Sequence, residues 1–341
     1  MNLQQAIKTV SDRRDLTPEQ MTAVMTMIMT GEATPAQIGG FLIGLRMKGE
    51  TIDEISAAAA VMRSLSARVE VDAPHLVDTC GTGGDASRIF NVSTASAFVC
   101  AAAGAQVAKH GNRSVSSSSG SADLLEAAGA RIDLSPEQVG ACIRETGLGF
   151  MFAPAHHGAM KHAIGPRREM AVRTIFNVLG PLTNPAGAPN QLLGVFTGEL
   201  VEPIAEALKQ LGSRHVMVVH SDDGLDEISI AAPTQVAELN GGRVTTWVLN
   251  PDEYGIQHHS LGNLSVGSAE DSLRLIKGVF AGEQGPARDM VVINAGAAIY
   301  ASGVVNELEA GVERARDVID AGAARDKLEQ FVECTRDLGN G

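Results

Sequence analysis

Apolar residues recur at helical spacing through the first 68 positions and then give way to short, nearly unbroken apolar runs. Met21, Val24, Met25 and Ile28, followed by Ile38, Phe41, Leu42 and Leu45, return every three or four residues, which puts each set on one face of a helix. Three start signals accompany them: Thr17-Pro18-Glu19-Gln20, Thr34-Pro35-Ala36-Gln37 and Thr51-Ile52-Asp53-Glu54. In each, a Thr side chain can accept from a first-turn amide while Gln or Glu three residues on reaches back, and Pro at the first helical position forfeits no bond. The pattern predicts a small helical domain over 1–68, its periodic residues forming the core.

After Val69 to Pro74 the pattern becomes that of strands alternating with helices. The predicted strands are Leu76 to Thr79, Gln106 to Lys109, Gly149 to Phe152, His215 to Val219, Arg243 to Leu249 and Met290 to Asn294. Ser93, Ser121 and Ser135 serve as helix openers between them. Such alternation implies an α/β domain over 75–341 with a central, largely parallel sheet covered by helices. Two stretches read as loop-rich: 156–190, dense in His, Arg, Pro and Asn with a short helix predicted from Arg168 to Val178, and the polar 250–265.

The length of 341 residues agrees with two domains. A net charge of −13 lacks the basic footprint of a nucleic-acid binder, so an anionic ligand would need a locally positive pocket. The most apolar stretch, Ala95 to Ala105, is interrupted by Ser96 and Gly104 and is far too short for a membrane span. Lys8, Asp12, Arg13, Arg14 and Asp15 break any signal-peptide pattern, and a cytoplasmic location is expected. Cys80, Cys100, Cys142 and Cys334 are too scattered for a disulfide framework or a zinc site.

The candidate chemistry is concentrated in four loops. Asp78-Thr79-Cys80-Gly81-Thr82-Gly83-Gly84-Asp85 runs a strand into three glycines, exposing main-chain amides to which a phosphate can draw close. Asn91-Val92-Ser93-Thr94 offers hydroxyls and an amide at the start of an Ala-rich helix. Lys109-His110-Gly111-Asn112-Arg113 leads into the hydroxyl-rich Ser114-Val115-Ser116-Ser117-Ser118-Ser119-Gly120-Ser121. Three anion-suited loops imply a ligand with more than one phosphate. A polyphosphate brings a divalent cation, and Mg²⁺ favours one or two carboxylates with phosphate oxygens and water. The run His220-Ser221-Asp222-Asp223-Gly224-Leu225-Asp226-Glu227 supplies carboxylates, of which adjacent Asp226 and Glu227 suit that role; the alternative is a solvated acidic loop. Among Arg167, Arg168 and Arg173, one could bind a substrate carboxylate with its planar fork, and spacing does not choose between them.

Taken in order, Gly81-Thr82-Gly83-Gly84-Asp85, Asn91 to Thr94, Lys109 to Ser117, Gly120-Ser121-Ala122-Asp123, Asp226-Glu227 and Arg173-Thr174-Ile175-Phe176-Asn177-Val178-Leu179-Gly180-Pro181-Leu182 closely resemble the anthranilate phosphoribosyltransferase family over essentially the whole chain. The resemblance implies a nucleoside-phosphorylase-like α/β fold with a helical domain that forms a homodimer and one wall of the cleft, and with 156–190 as hinge and acceptor-binding segment. It implies transfer of the 5-phosphoribosyl group from phosphoribosyl pyrophosphate to the amine of anthranilate, with Mg²⁺. Gly81, Gly84, Asp85, Asn91, Ser93, Thr94, Lys109, Asn112, Arg113, Ser117 and Ser121 would then contact the donor, together with the motif positions Val92, His110, Gly111, Ser114, Val115 and Ser116. Ser93, Asp226 and Glu227 would serve the metal, while Gly81, Asn112, Arg167, His110, His157 and Pro181 would meet anthranilate. Two positions depart from the family pattern: Ile89, often Thr, and Gly165-Pro166, where Pro-Val is common.

The chemistry so implied rests on positioning and electrostatics, because pyrophosphate leaves ribose C1 as an already unprotonated aryl amine attacks. No general acid or base is assigned. The competing functions are a nucleoside phosphorylase, which would use free phosphate, and a non-catalytic nucleic-acid-binding relative, which would be expected to carry a basic surface.

Overall fold

The computed structural model describes residues 1–84, 87–114, 119–262 and 264–340. Helices α1 (Leu3–Ser11), α2 (Pro18–Met29), α3 (Pro35–Lys48) and α4 (Ile52–Ser64) make up its N-terminal part. All three expected capping boxes form, at Thr17, Thr34 and Thr51, and a fourth built from Asn2 and Gln5 opens α1.

The turn between α3 and α4 is held by a buried ion pair. Lys48 Nζ lies 2.8 Å from Glu54 Oε2, and the two side chains are 3% and 0% exposed. Glu54 also accepts from the Leu16 amide at 2.9 Å and the Thr51 amide at 2.8 Å, so one carboxylate ties the α1–α2 loop, the α4 cap and the end of α3.

The larger part follows as β1 (Leu76–Gly81), α5 (Val92–Ala102), β2 (Gln106–Gly111), α6 (Ser121–Ala127), α7 (Pro136–Thr146), β3 (Leu148–Phe152), α8 (Ala153–His156), α9 (Lys161–Met170), α10 (Phe176–Leu179), β4 (Asn190–Gly194), α11 (Val201–Gln210), β5 (His215–Ser221), β6 (Thr234–Asn240), β7 (Arg243–Leu249), α12 (Ala269–Phe280), α13 (Pro286–Ser302), α14 (Leu308–Asp320) and α15 (Ala323–Asn340). Among the described residues the sheet has seven strands in the order β3-β2-β1-β4-β5-β6-β7. The five from β3 to β5 are parallel, and β6 and β7 extend the sheet antiparallel, which makes it mostly parallel but mixed. Along β5, Val216 and Val218 face one layer and Met217 and Val219 the other, so burial on both faces explains the unbroken apolar run. Among the described residues, no helix is long and apolar enough to cross a membrane.

Four sequence expectations need correction. Met290 to Asn294 is helical, inside α13; a helix buried on nearly every side loses its polar face, and its apolar run then mimics a central strand. The helix expected from Arg168 to Val178 is split, because α9 ends at Met170 with Ala171 in the left-handed region at φ 51° and α10 starts only at Phe176. Asn91, not Ser93, occupies the N-cap position of α5 and Gly120, not Ser121, that of α6, so both serines sit in the first turns. Strands β4 and β6 were not anticipated: β4 begins with the polar pair Asn190-Gln191, and β6 carries an irregular mix of polar and apolar residues.

The apolar core of α1–α4 is continuous with residues far along the chain. Ala163 of α9, Phe176 and Leu179 of α10, Ile204 and Leu208 of α11 and the β4–β5 face all belong to the same buried cluster as Met21, Phe41 and Leu42. Arg63 at the end of α4 strengthens the junction, its Nε donating to Leu182 O at 2.6 Å and its Nη1 to Leu211 O at 3.1 Å.

Because Glu54→Ala strands the Lys48 ammonium and the Leu16 and Thr51 amides in a buried place, we expect it to lower unfolding free energy by about 3 kcal/mol. Urea denaturation checks this, and a loss below ~1 kcal/mol would show that Asp15, also 2.7 Å from Lys48 Nζ, suffices as partner.

Candidate active site

The parallel strands β1, β2, β4 and β5 end on one side of the sheet, where ligands of open α/β folds bind. Glycine ends β1 at Gly81 and β4 at Gly194, paired in register, and the absence of side chains there lets the loop after β5 lie across both. A Cβ on Gly81 would meet Asp226 Oδ2, and one on Gly194 would overlap the Asp226 main chain. The loop is held from below by Asn294 of α13, which accepts from the Ile228 amide and donates to Ile228 O, both at 2.9 Å.

Within that loop the four carboxylates divide. Asp222 and Asp223 are exposed, with Asp223 accepting from Ser229 Oγ at 2.6 Å and Asp222 from Gln235 at 3.3 Å, so both brace the loop. Asp226 and Glu227 are half-buried and turn toward the strand ends. Asp226 Oδ2 accepts from the Gly83 amide at 2.8 Å, and Glu227 Oε1 from the Ser93 amide at 3.2 Å. Carboxylates are thus brought to the glycine turn and to the N-terminus of α5.

Lys109 is buried, 1% exposed, with Nζ donating to Thr79 O and reaching Ser93 Oγ at 3.3 Å. Burial draws its ammonium below the ordinary value, while the Asp78 and Glu227 carboxylates oppose that shift. Burial likewise raises the Asp78 carboxyl, against the pull of Lys109. Asn91 bridges two loops, its Nδ2 donating to Ser119 O at 3.0 Å and its Oδ1 accepting from Ser119 Oγ and Ser272 Oγ. Arg113 is paired with Asp123 and Glu126 along α6, and Asp123 accepts from the Ser114 and Gly120 amides at 2.9 Å. Thr94 is buried with an unpartnered Oγ1, and Val92 belongs to the core, leaving its main chain as the part available to a ligand. Gly111 packs against Phe150 and Ser121, and exposed Asn112 accepts from the Ala122 amide through its carbonyl at 3.2 Å. Asp85, Val115, Ser116 and Ser117 lie outside the described residues.

Across from the glycine turn stands the segment from β3 to β4. The rings of His110 and His157 are 5.1 Å apart. Burial, helped by the neighbouring histidines, brings His110 down to about 3 and His157 to about 4, so both are neutral at pH 7. The His110 ring lies beside the Gly180 backbone and the His157 ring beside the Thr183 backbone, and Nε2 of each is buried without a partner. Of the two adjacent arginines, Arg167 is half-buried and stacks 5.1 Å above the Phe176 ring, while Arg168 is exposed. Arg173 turns the other way, donating to Gly84 O and lying 4.3 Å above Phe196. Pro181 is buried, and its carbonyl accepts from Gln191 at 2.8 Å.

Sequence reasoning passed over Gly194, Asn184, Gln191 and Asn294, and named Asp78 only as the start of the strand-to-glycine run. Asp78 carried a signal, an acid inside an otherwise apolar strand. The others act through contacts with residues distant in the chain and carried none.

No group of three His, Cys, Asp or Glu side chains able to hold a metal occurs among the described residues. The hard-oxygen set of Asp226, Glu227 and Ser93 therefore fits a cation that arrives with a phosphate better than one held by protein alone.

A helical bundle on a mostly parallel α/β sheet, with anion-suited loops at the strand ends, defines a class of transferase. Residues 4–66 match the helical bundle domain of the glycosyl transferase family and residues 73–325 its a/b domain. Two curated relatives are each 64% identical: anthranilate phosphoribosyltransferases of Thioalkalivibrio sulfidiphilus, over 98% of this chain and 99% of that one, and of Alkalilimnicola ehrlichii, over 99% and 100%. The solved anthranilate phosphoribosyltransferase of Thermus thermophilus superposes with a TM-score of 0.92 at 42% identity, covering 97% of this chain and 99% of its own. That of Saccharomyces cerevisiae, solved in complex with PRPP and Mg, gives a TM-score of 0.89 at 26% identity over 98% of each chain. The chain belongs to the glycosyl transferase family, and within it to the anthranilate phosphoribosyltransferases.

Gly194→Ala should displace the Asp226 main chain, costing about 1 to 3 kcal/mol through overpacking. We expect a lower thermal midpoint together with at least ~10-fold lower turnover, since a small misplacement at a reacting centre is costly. Normal turnover in a destabilised variant would mean that the loop's position does not govern the chemistry.

Proposed function

We propose that the protein transfers the 5-phosphoribosyl group from phosphoribosyl pyrophosphate to the amine of anthranilate, releasing pyrophosphate and forming N-(5-phosphoribosyl)anthranilate, a step in making tryptophan. The observation that carries this reading is the convergence of the Gly81–Gly84 turn, the α5 N-terminus and the Asp226-Glu227 pair at the ends of β1 and β4, in a chain 64% identical to anthranilate phosphoribosyltransferases.

The donor lies along Gly81, Gly84, Asp85, Asn91, Ser93, Thr94, Lys109, Asn112, Arg113 and the serine-rich loop, its phosphates taken by main-chain amides and hydroxyls. Lys109, seated under Ser93, adds positive charge from within rather than as an exposed hook. Asp226, Glu227 and Ser93 hold Mg²⁺, which when bound neutralises the charge gathering on departing pyrophosphate. Anthranilate occupies the opposite wall, with the Arg167 fork on its carboxylate and Gly81, Asn112, His110, His157 and Pro181 around the ring. His110 and His157 are neutral at working pH, so they shape an uncharged pocket for an aromatic acceptor. The chain's contribution is orientation and electrostatic stabilisation, and the acceptor amine needs no base to become nucleophilic. The exposed Met47, Leu65, Ile164 and Val172, on and beside α3, α4 and α9, support a homodimer formed through the helical part.

Fluorescence-detected consumption of anthranilate tests the reading. Turnover should require phosphoribosyl pyrophosphate and Mg²⁺, and inorganic phosphate should not support cleavage of a nucleoside; the reverse result would make the protein a phosphorylase.

Two substitution series sharpen this. Asp226→Asn and Glu227→Gln should each raise the Mg²⁺ concentration required for half-maximal turnover, whereas Asp222→Asn and Asp223→Asn should not. Equal behaviour of all four would reduce the run to a charged loop.

Arg167→Ala should cost about 1.5 to 3 kcal/mol in kcat/KM for anthranilate, the range for a lost charge-assisted bond, with donor affinity retained. Arg168→Ala should leave steady-state kinetics unchanged; a loss there instead would move the carboxylate contact by one residue.

A further inference from the structure

The β1–β2 ladder is in register at Leu76 with Gln106 and at Val77 with Val107. Past that point two side chains take over the main-chain groups between the strands. Asp78 Oδ1 accepts from the His110 amide at 3.2 Å, and Asn184 Nδ2 donates to Ala108 O at 2.8 Å. The same Asn184 Nδ2 also donates to Asp78 Oδ2 at 2.8 Å, and Asn184 Oδ1 accepts from the Ala186 amide at 2.9 Å. Asn184 is thus fully used, 7% exposed, and bonded to a carboxylate that is 1% exposed.

Asn184 closes a turn that begins at Gly180. Thr183 Oγ1 donates to Gly180 O at 2.9 Å within it, and a second amide side chain grips its other end: Gln191 Nε2 of β4 donates to Pro181 O at 2.8 Å. Between these two grips the turn presents Pro181 and runs beside the His110 and His157 rings, which pack on each other at 5.1 Å. The turn continues α10 as a single 3-10 turn over Gly180–Leu182 whose Leu182 carbonyl Arg63 also holds, and the two side-chain amides add one grip on each side of it.

We infer that Asn184 and Gln191 are positioning residues for the acceptor: together they fix the Gly180–Asn184 turn, and through it the His110 and His157 rings and Pro181, against the ends of the donor-binding strands. This rests on the acceptor assignment made under the proposed function. Neither residue touches the substrates. The pair decides where the aromatic acceptor sits relative to ribose C1, and it does so from the β1–β2 opening itself, because Asn184 fills the hydrogen bonds left where the ladder stops. The glycine turn, the α5 N-terminus and the Asp226-Glu227 loop have further supports in Gly194, Asn294 and their own amides, so loss of either grip falls first on the Gly180–Asn184 turn.

The test is to make Asn184→Ala and Gln191→Ala in the full chain and to measure three quantities. These are KM for anthranilate, kcat, and the equilibrium affinity for phosphoribosyl pyrophosphate with Mg²⁺ by titration calorimetry. We expect the anthranilate KM to rise about tenfold or more in each variant, as for an unsatisfied buried polar group, with donor affinity within about twofold of wild type. A donor affinity that falls by the same factor as acceptor use overturns the inference and makes the pair general scaffold; so does unchanged kinetics. If Asn184→Ala does not fold, Gln191→Ala, which removes the bonds to Pro181 O and to Cys80 Sγ, decides the matter alone through the split between anthranilate KM and donor affinity. Wild-type protein that fails to consume anthranilate overturns the proposed function instead, so the two failures are told apart.

Discussion

The approach of the Asp226 main chain to Gly194 is the contact on which the rest of the site's geometry hangs. A parallel sheet delivers its loops to one end, but it does not bring a loop from one strand across the mouths of its neighbours. Here that crossing is possible because β1 and β4 end in paired glycines, which leave a bare strip of backbone. The Asp226 carboxylate can then reach back to the Gly83 amide and Glu227 to the Ser93 amide. Acidic groups are packed beside amides that would otherwise face an anion, an arrangement that suits a ligand carrying both phosphate and cation.

A second theme is the use of buried charge and buried amides in place of regular pairing. Lys48 with Glu54 joins three helical segments, and Lys109 with Asp78 lies beneath the strand ends. Such groups are costly to bury unless every partner is met, and in both places hydrogen bonds to side chains and main chain meet them. This specifies a single arrangement where apolar packing alone would tolerate several.

Much of this was legible because it is local. The capping boxes at Thr17, Thr34 and Thr51 are written in four consecutive residues and formed as expected, and Ser135 opens α7 as expected. The phosphate-suited loops and the Asp226-Glu227 pair were likewise contiguous motifs. What was not legible depends on chain distance or on burial. Asn184 meets Asp78 across 106 positions, and no spacing rule connects them. The segment Met290 to Asn294 read as a strand because its helix, wrapped by neighbours, needs no polar face. That error hid a function as well, since Asn294 at its end holds the acidic loop.

The core shared by α1–α4 and α9–α11 sets the order of synthesis against the order of burial. The first four helices are complete at Ser64, whereas α11 ends at Gln210. At ~5 to 20 residues per second, the intervening stretch takes roughly 7 to 30 s to leave the ribosome. For that interval Phe41, Leu42 and their neighbours lack their final cover while the α/β half does not yet exist. A gene fragment stopped at Ser64 would meet the same exposure permanently, so the bundle, although made first, is finished only after much of the α/β part has been made.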